Sequence, residues 1–176
     1  MTALTRIPQN TNYLQASKYI LTFDRIDTVQ YFCQSVNLPG VNLGQAPLFA
    51  PTLDVFAPGN KITYNQLNVD FAVDEKLQTW QNIYSWMRSI ASPEGFEERK
   101  RLSALQNQNK PKADNPYSDA TLTVLNNLNN PTIRVQFINA FPIMLADIVF
   151  DTKLSADDIM YSTVTFQYDY YNFIPV

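Results

Sequence analysis

The stretch KITYNQLNVDFAVDEKLQTWQNIYSWMRSI, residues 61–90, changes its hydrophobic period part-way along. Ile62 and Tyr64 point one way. After a shift at Asn65-Gln66, Leu67, Val69, Phe71 and Val73 alternate with Asn68, Asp70 and Ala72. A two-residue period marks a strand with one buried face, and the shift reads as a bulge. From Asp74 to about Ser92 the period lengthens: Leu77, Trp80, Ile83, Tyr84, Met87 and Ile90 recur at three- and four-residue steps. That spacing predicts an amphipathic helix whose Trp80, Ile83, Met87 and Ile90 pack on a sheet. Asp74 suits its N-cap, Arg88 its last turn, and Pro93 its stop.

Strand patterns lie on both sides of this unit. Tyr19, Leu21 and Phe23 alternate with Ile20, Thr22 and Asp24, and Gln30–Asn37 reads as a second strand closed by the Pro39-Gly40 turn. Between Val41 and Asn60 stand three prolines and two of the four glycines, so this part reads as an extended surface loop. Later, Ala120, Leu122 and Val124 alternate, as do Ile133, Val135 and Phe137, and Val164, Phe166, Tyr168 and Tyr170. A further strand is expected from about Met144 to Asp151, and Asn126–Pro131 reads as a turn built from amides. The sum is six or seven strands with one helix in the middle. The fold class is mainly β: an antiparallel β-sandwich or barrel with one packed α-helix. The expected organisation is an N-terminal arm over 1–17, then a single domain over 18–176 carrying a flexible, Gln/Asn/Lys-rich insertion at about 101–116.

Composition narrows the function. Of 176 residues only 16% are charged, whereas 17 Asn and 12 Gln supply side-chain amides. The net charge is −3, which argues against the basic footprint of a nucleic-acid-binding module. With no His and one Cys, a Ser-His-Asp triad, a Cys-His pair, a His-ligated metal site and an internal disulfide are all excluded. Met1 to Asn12 lacks the apolar block of a signal peptide, and no run approaches a membrane span.

The remaining candidates for chemistry are weak. Asp157-Asp158 and Glu97-Glu98 are paired carboxylates without further oxygen ligands at regular spacing, and read as solvated acids. Cys33 has no activating neighbour in sequence and reads as a plain thiol. The basic run Arg99-Lys100-Arg101, with Lys110 and Lys112, is offset by Glu94, Glu97, Glu98 and Asp114. The aromatic run from Tyr168 to Phe173 suits either a buried strand that meets a neighbouring subunit or a stacking platform for sugar. No catalytic, cofactor-binding or metal-ligating residue is expected, and no enzymatic activity.

Several stretches, taken in order, resemble the tail-tube-type proteins of contractile-tailed, T4-like bacteriophages. They are FCQSVNLPG at 32–40, PGNKITY at 58–64, LNVDFAVDE at 67–75, the Trp80-to-Trp86 helix face, SDATL at 118–122, the 126–131 turn, Phe141-Pro142, and Phe150-Asp151-Thr152. Asn60 stands where the family pattern has an acid. Length and the PG-x-K to V-D-E pattern are most similar to the tube-terminating type. The resemblance implies a virion protein, assembled in the host cytoplasm into a homohexameric ring of the viral tail. As a terminator it would join the tube ring below it to the neck or connector proteins and to the last sheath ring. Genomic DNA would pass through its lumen without specific binding, and no membrane would be involved. A major tail tube subunit and a carbohydrate-binding sandwich stay open as alternatives.

Overall fold

A computed structural model describes residues 12–26, 28–49, 52–91, 116–153 and 158–175, with single positions at 93, 95, 97, 100 and 155. The expected insertion therefore lies almost wholly outside the described residues, as does most of the expected N-terminal arm. The elements in chain order are β1 (Tyr19–Phe23), α1 (Thr28–Phe32), β2 (Cys33–Val36), β3 (Val41–Leu48), β4 (Val55–Tyr64), β5 (Leu67–Ala72), α2 (Gln78–Ile90), β6 (Ser118–Leu125), β7 (Pro131–Leu145), β8 (Tyr161–Gln167) and β9 (Tyr170–Pro175).

Two antiparallel layers share the long strand β7. Its first half lies between β6 and β9, with β1 beyond β6. Its second half pairs with β8, which leads through β5 to β2. The strand turns the corner at Asn139, which takes φ 56°. Asn139 Nδ2 donates to Asp169 at 2.6 Å, and its backbone N–H donates to the Asp119 carboxylate at 3.2 Å. The corner's polar groups are thus paired, as a bend close to a core requires. Between the layers lie Leu21, Phe23, Leu122, Val135 and Phe137 from one side and Val69, Phe71, Val164 and Phe166 from the other, all buried. Phe23 and Phe166 meet across the gap with ring centroids 4.6 Å apart.

The alternation on β1, β5, β6 and the first half of β7 falls as the residues predict. Four readings change. Gln30–Asn37 is not one strand: Thr28–Phe32 is a helical turn. That turn buries Val29 and carries the chain from the layer of β1 to the layer of β2. The 41–60 segment is not a loop but most of a β-hairpin, β3–β4, outside both layers. The shift at Asn65-Gln66 is the passage from that hairpin into the sandwich rather than a bulge. There Asn37 bonds the Gln66 carbonyl and the Asn68 N–H, and Asn65 N–H bonds Gly40. Finally, β7 ends at Leu145, and the described residues from 146 to 160 are irregular rather than a strand to Asp151.

Helix α2 closes the open end of the sandwich. It begins later than expected, at Gln78, after Leu77 in a left-handed conformation. Asp74 still caps it: its two carboxylate oxygens accept the N–H groups of Gln78 and Thr79 at 2.9 and 3.0 Å. Slight burial raises the Asp74 carboxyl, but these N–H donors outweigh it and hold it below its ordinary value. The buried face is Ile83 with Trp86, while Trp80, Met87 and Ile90 are only partly covered. Trp86, absent from the expected core face, is the largest fully buried side chain. It lies near Phe166, donates its indole N–H to the Pro116 carbonyl at 2.8 Å, and carries Arg25 over its ring. Pro116 stands two residues before β6, and no sequence period reports such a contact.

Candidate assembly surface

Two features of the surface stand out chemically, and neither is a catalytic pocket. The first is the β3–β4 hairpin. Its eight-residue strand β3 reaches roughly 26 Å at about 3.3 Å per residue. Every described residue of β3 is exposed, and β4 is exposed at most positions. Val41, Leu43, Ile62 and Tyr64 share one face at its root by register. Tyr64 anchors that root on the body, packing against Tyr168 and Tyr171 at 6.0 and 5.2 Å. Further out, Leu48, Phe49, Leu53, Val55 and Phe56 stand in solvent, Phe49 82% exposed. Residues 41–64 carry only two charges, Asp54 and Lys61. Large apolar patches low in charge are what buried interface centres look like.

The hairpin has an irregular middle. The register changes between Leu43 and Gln45, where Gly59, Asn60 and Lys61 face the single Gly44. A Cβ at Gly59 would lie 2.6 Å from the Gly44 carbonyl oxygen, so this approach requires glycine at 59, while a Cβ at Gly44 would lie 3.3 Å from the Lys61 carbonyl oxygen.

Strand edges are the other assembly feature. Among the described residues β1, β9 and β2 each pair on one side only. β9 displays Tyr170, Phe173 and Ile174 to solvent. One-sided, apolar strands of this kind invite pairing with another chain.

The faces turned away from the core are short of charge. Register places Thr22, Thr121, Thr123, Gln136 and Asn172 on one, together with Ile20, Ile174 and a single charge, Arg134, and Ser35, Asn68, Asp70, Thr163 and Thr165 on the other, where Asp70 is the single charge. The second set is knitted together: Ser35 and Thr163 both donate to Asp70 at 2.6 Å, and Thr165 donates to Asn68 at 3.0 Å.

The sequence's candidate residues are scattered. Cys33 opens β2 half-buried; burial pushes its thiol up, beside the Tyr19 hydroxyl. Burial, with Cys33 and Asp70 adding to it, raises Tyr19 to about 12. Glu97 is exposed and pairs with Lys100 at 3.3 Å, while Glu98, Arg99, Arg101, Lys110, Lys112 and Asp157 lie outside the described residues. Asp158 is exposed in the 146–160 segment. Tyr168 is buried, and Tyr171 packs edge-on against Phe137 and Phe173 rather than lying in a row of coplanar exposed rings. Among the described residues no three His, Cys, Asp or Glu side chains gather as a metal site, and no helix is long and apolar enough to cross a membrane. The hairpin was missed because its prolines and glycines read as loop. The available signal was the near absence of charge beside so many apolar residues.

The profile described as phage tail tube protein matches residues 5–174. This chain belongs to the phage tail tube protein family. Among relatives, this tail tube family member is 23% identical over 175 residues to the tail tube terminator protein of Enterobacteria phage T4. That match covers 94% of this chain and 91% of the T4 protein. Two solved structures share the fold. One is the tube terminating cap of the anti-feeding prophage, with a TM-score of 0.65 at 16% identity over 99% of this chain and 100% of that one. The other is a sheath/tube terminator of an extracellular contractile injection system (PVC) in the extended state. It has a TM-score of 0.63 at 15% identity, over 94% and 99% of the two chains. The likeness to a terminator is one of sequence, to the T4 protein, and the two solved structures share the fold.

Proposed function

We propose that this protein is a tail tube terminator: a structural virion component, without catalytic activity, that forms a closed homohexameric ring with a central pore at the end of the tube. The observation that carries the reading is the charge-poor apolar hairpin, held clear of a sandwich that still has three one-sided strands. Such a surface is costly to leave in water, and copies in a ring cover both the hairpin and the edges. Family membership and the end-to-end likeness to the T4 terminator support the terminator reading over a carbohydrate-binding sandwich. A terminator has unlike ends, one meeting the tube ring and the other the neck, with the rim against the last sheath ring. A lumen lined mainly by hydroxyls and amides, with few charges, would let DNA slide without holding it.

Electron microscopy of the purified protein and a copy count per virion test this. Six-fold rings that do not stack indefinitely, at six copies per tail, are the expected result. Long stacked tubes, or copies in large multiples of six, would make the chain a major tube subunit. A monomer or another symmetry would overturn both.

A further inference from the structure

A separate surface feature is a cleft of about 560 Å³ lined by described residues between β7 and β8 and by Tyr161. Its apolar lining is Val149, Phe150, Ile159 and Tyr161, all exposed, Phe150 by 75%. Asp147, Asp151 and Asp158 border it. The segment is pinned at both ends: Ala146 N–H donates to Thr163 at 2.8 Å, and Met160 accepts the Val73 N–H at 2.9 Å. Trp80 of α2 also donates its indole N–H to the Ala146 carbonyl at 3.3 Å.

Charge sets this cleft apart from the hairpin. Residues 144–161 hold four acids and one base, Lys153; the remainder of the chain holds twelve of each. The whole net charge of −3 is therefore the charge of this segment. We propose that the cleft is a docking site for a basic, apolar-flanked peptide segment of another protein, with its aliphatic side chains on Phe150 and Ile159 and its Lys or Arg groups against Asp147, Asp151 and Asp158. Interfaces between like copies lose charge at their centre, as the hairpin does; concentrated charge around an apolar floor selects an oppositely charged partner. A second copy is a poor occupant. This chain's own basic run at 99–112 is flanked by Glu94, Glu97 and Glu98 on one side and Asp114 on the other, and Lys100 already pairs with Glu97.

The test is fluorescence anisotropy with the full-length protein and a short labelled peptide of alternating Lys and Leu. A Glu/Leu peptide serves as control. The Lys/Leu peptide should bind and the Glu/Leu peptide should not. The double variant Asp151→Asn/Asp158→Asn should weaken binding roughly five- to tenfold. Phe150→Ala, at an exposed position that folding does not need, should weaken it about tenfold. The double variant Asp24→Asn/Glu97→Gln removes the same net charge elsewhere and should change affinity less than about twofold. Equal losses in the two double variants would reduce the effect to net charge and overturn the site. So would equal binding of both peptides, or tighter binding of a peptide copied from residues 97–112. Ring formation is read separately and does not enter this measurement.

Discussion

Trp86 does more for the core than any other side chain, because it fills the space between α2 and the β8 layer and also satisfies the Pro116 carbonyl. Trp86→Ala should cost about 3–5 kcal/mol, read by denaturant unfolding of the monomer. Trp80→Ala should cost clearly less, since Trp80 is only partly covered; equal costs would mean that the helix is rotated from the orientation described. Asp74 supports a second residue-level expectation. Losing its cap should cost about 1 kcal/mol in Asp74→Ala at neutral pH. A carboxyl held below its ordinary value of 3.8 contributes stability that is present above that value and is lost as pH falls through the lower, folded value. The difference in stability between wild type and Asp74→Ala should therefore be full near pH 7 and close as pH falls below the carboxyl's ordinary value. A gap that persists in acid would assign the cost to something other than the cap.

At the scale of elements, the hairpin depends on the Gly44–Gly59 approach. Gly59→Ala places a methyl carbon against a backbone oxygen that cannot move without bending the strands. Because the hairpin lies outside the core, the monomer's thermal melt should stay within about 1 kcal/mol of wild type while ring formation by size-exclusion light scattering falls. A large loss of monomer stability would show that the hairpin is part of the folding unit. The same element shows what the sequence could and could not tell. Strands with one buried face were legible, because Leu67, Val69 and Phe71 alternate in burial as they do in hydropathy. The hairpin was not, because its strands have no buried face and so no period to read. The α1 turn was hidden for another reason. Val29 and Phe32 are good strand formers, and the need to cross from one layer to the other overrode their preference.

For the whole molecule, the low charge of the hairpin predicts how assembly responds to solution conditions. Ring formation driven by apolar burial should change little between low and moderate salt, and should weaken on cooling. Sedimentation across salt and temperature series reads this directly; steep loss with added salt would mean that ion pairs hold the ring. The candidate surfaces were legible only in part. The resemblance carried by residues 32–40, 58–75 and 80–86 reached the family and the sandwich. It did not reveal the cleft: the acidic excess of 144–161 can be counted along the chain, but the apolar floor it borders is formed by the fold.

The hairpin's two roots hold the body unequally. Only Asn65 and Gln66 separate β4 from β5, so tension on that side reaches Leu67 with almost no slack. There it meets a strand held on both flanks, by β2 and β8. The other root leads through Leu38–Gly40 to β2, a border strand fastened on one flank. In the ring proposed above, a pull between neighbours would be shared between a firm mooring and a weak one. Yielding would begin at β2, which could peel while β5 keeps the hairpin tethered.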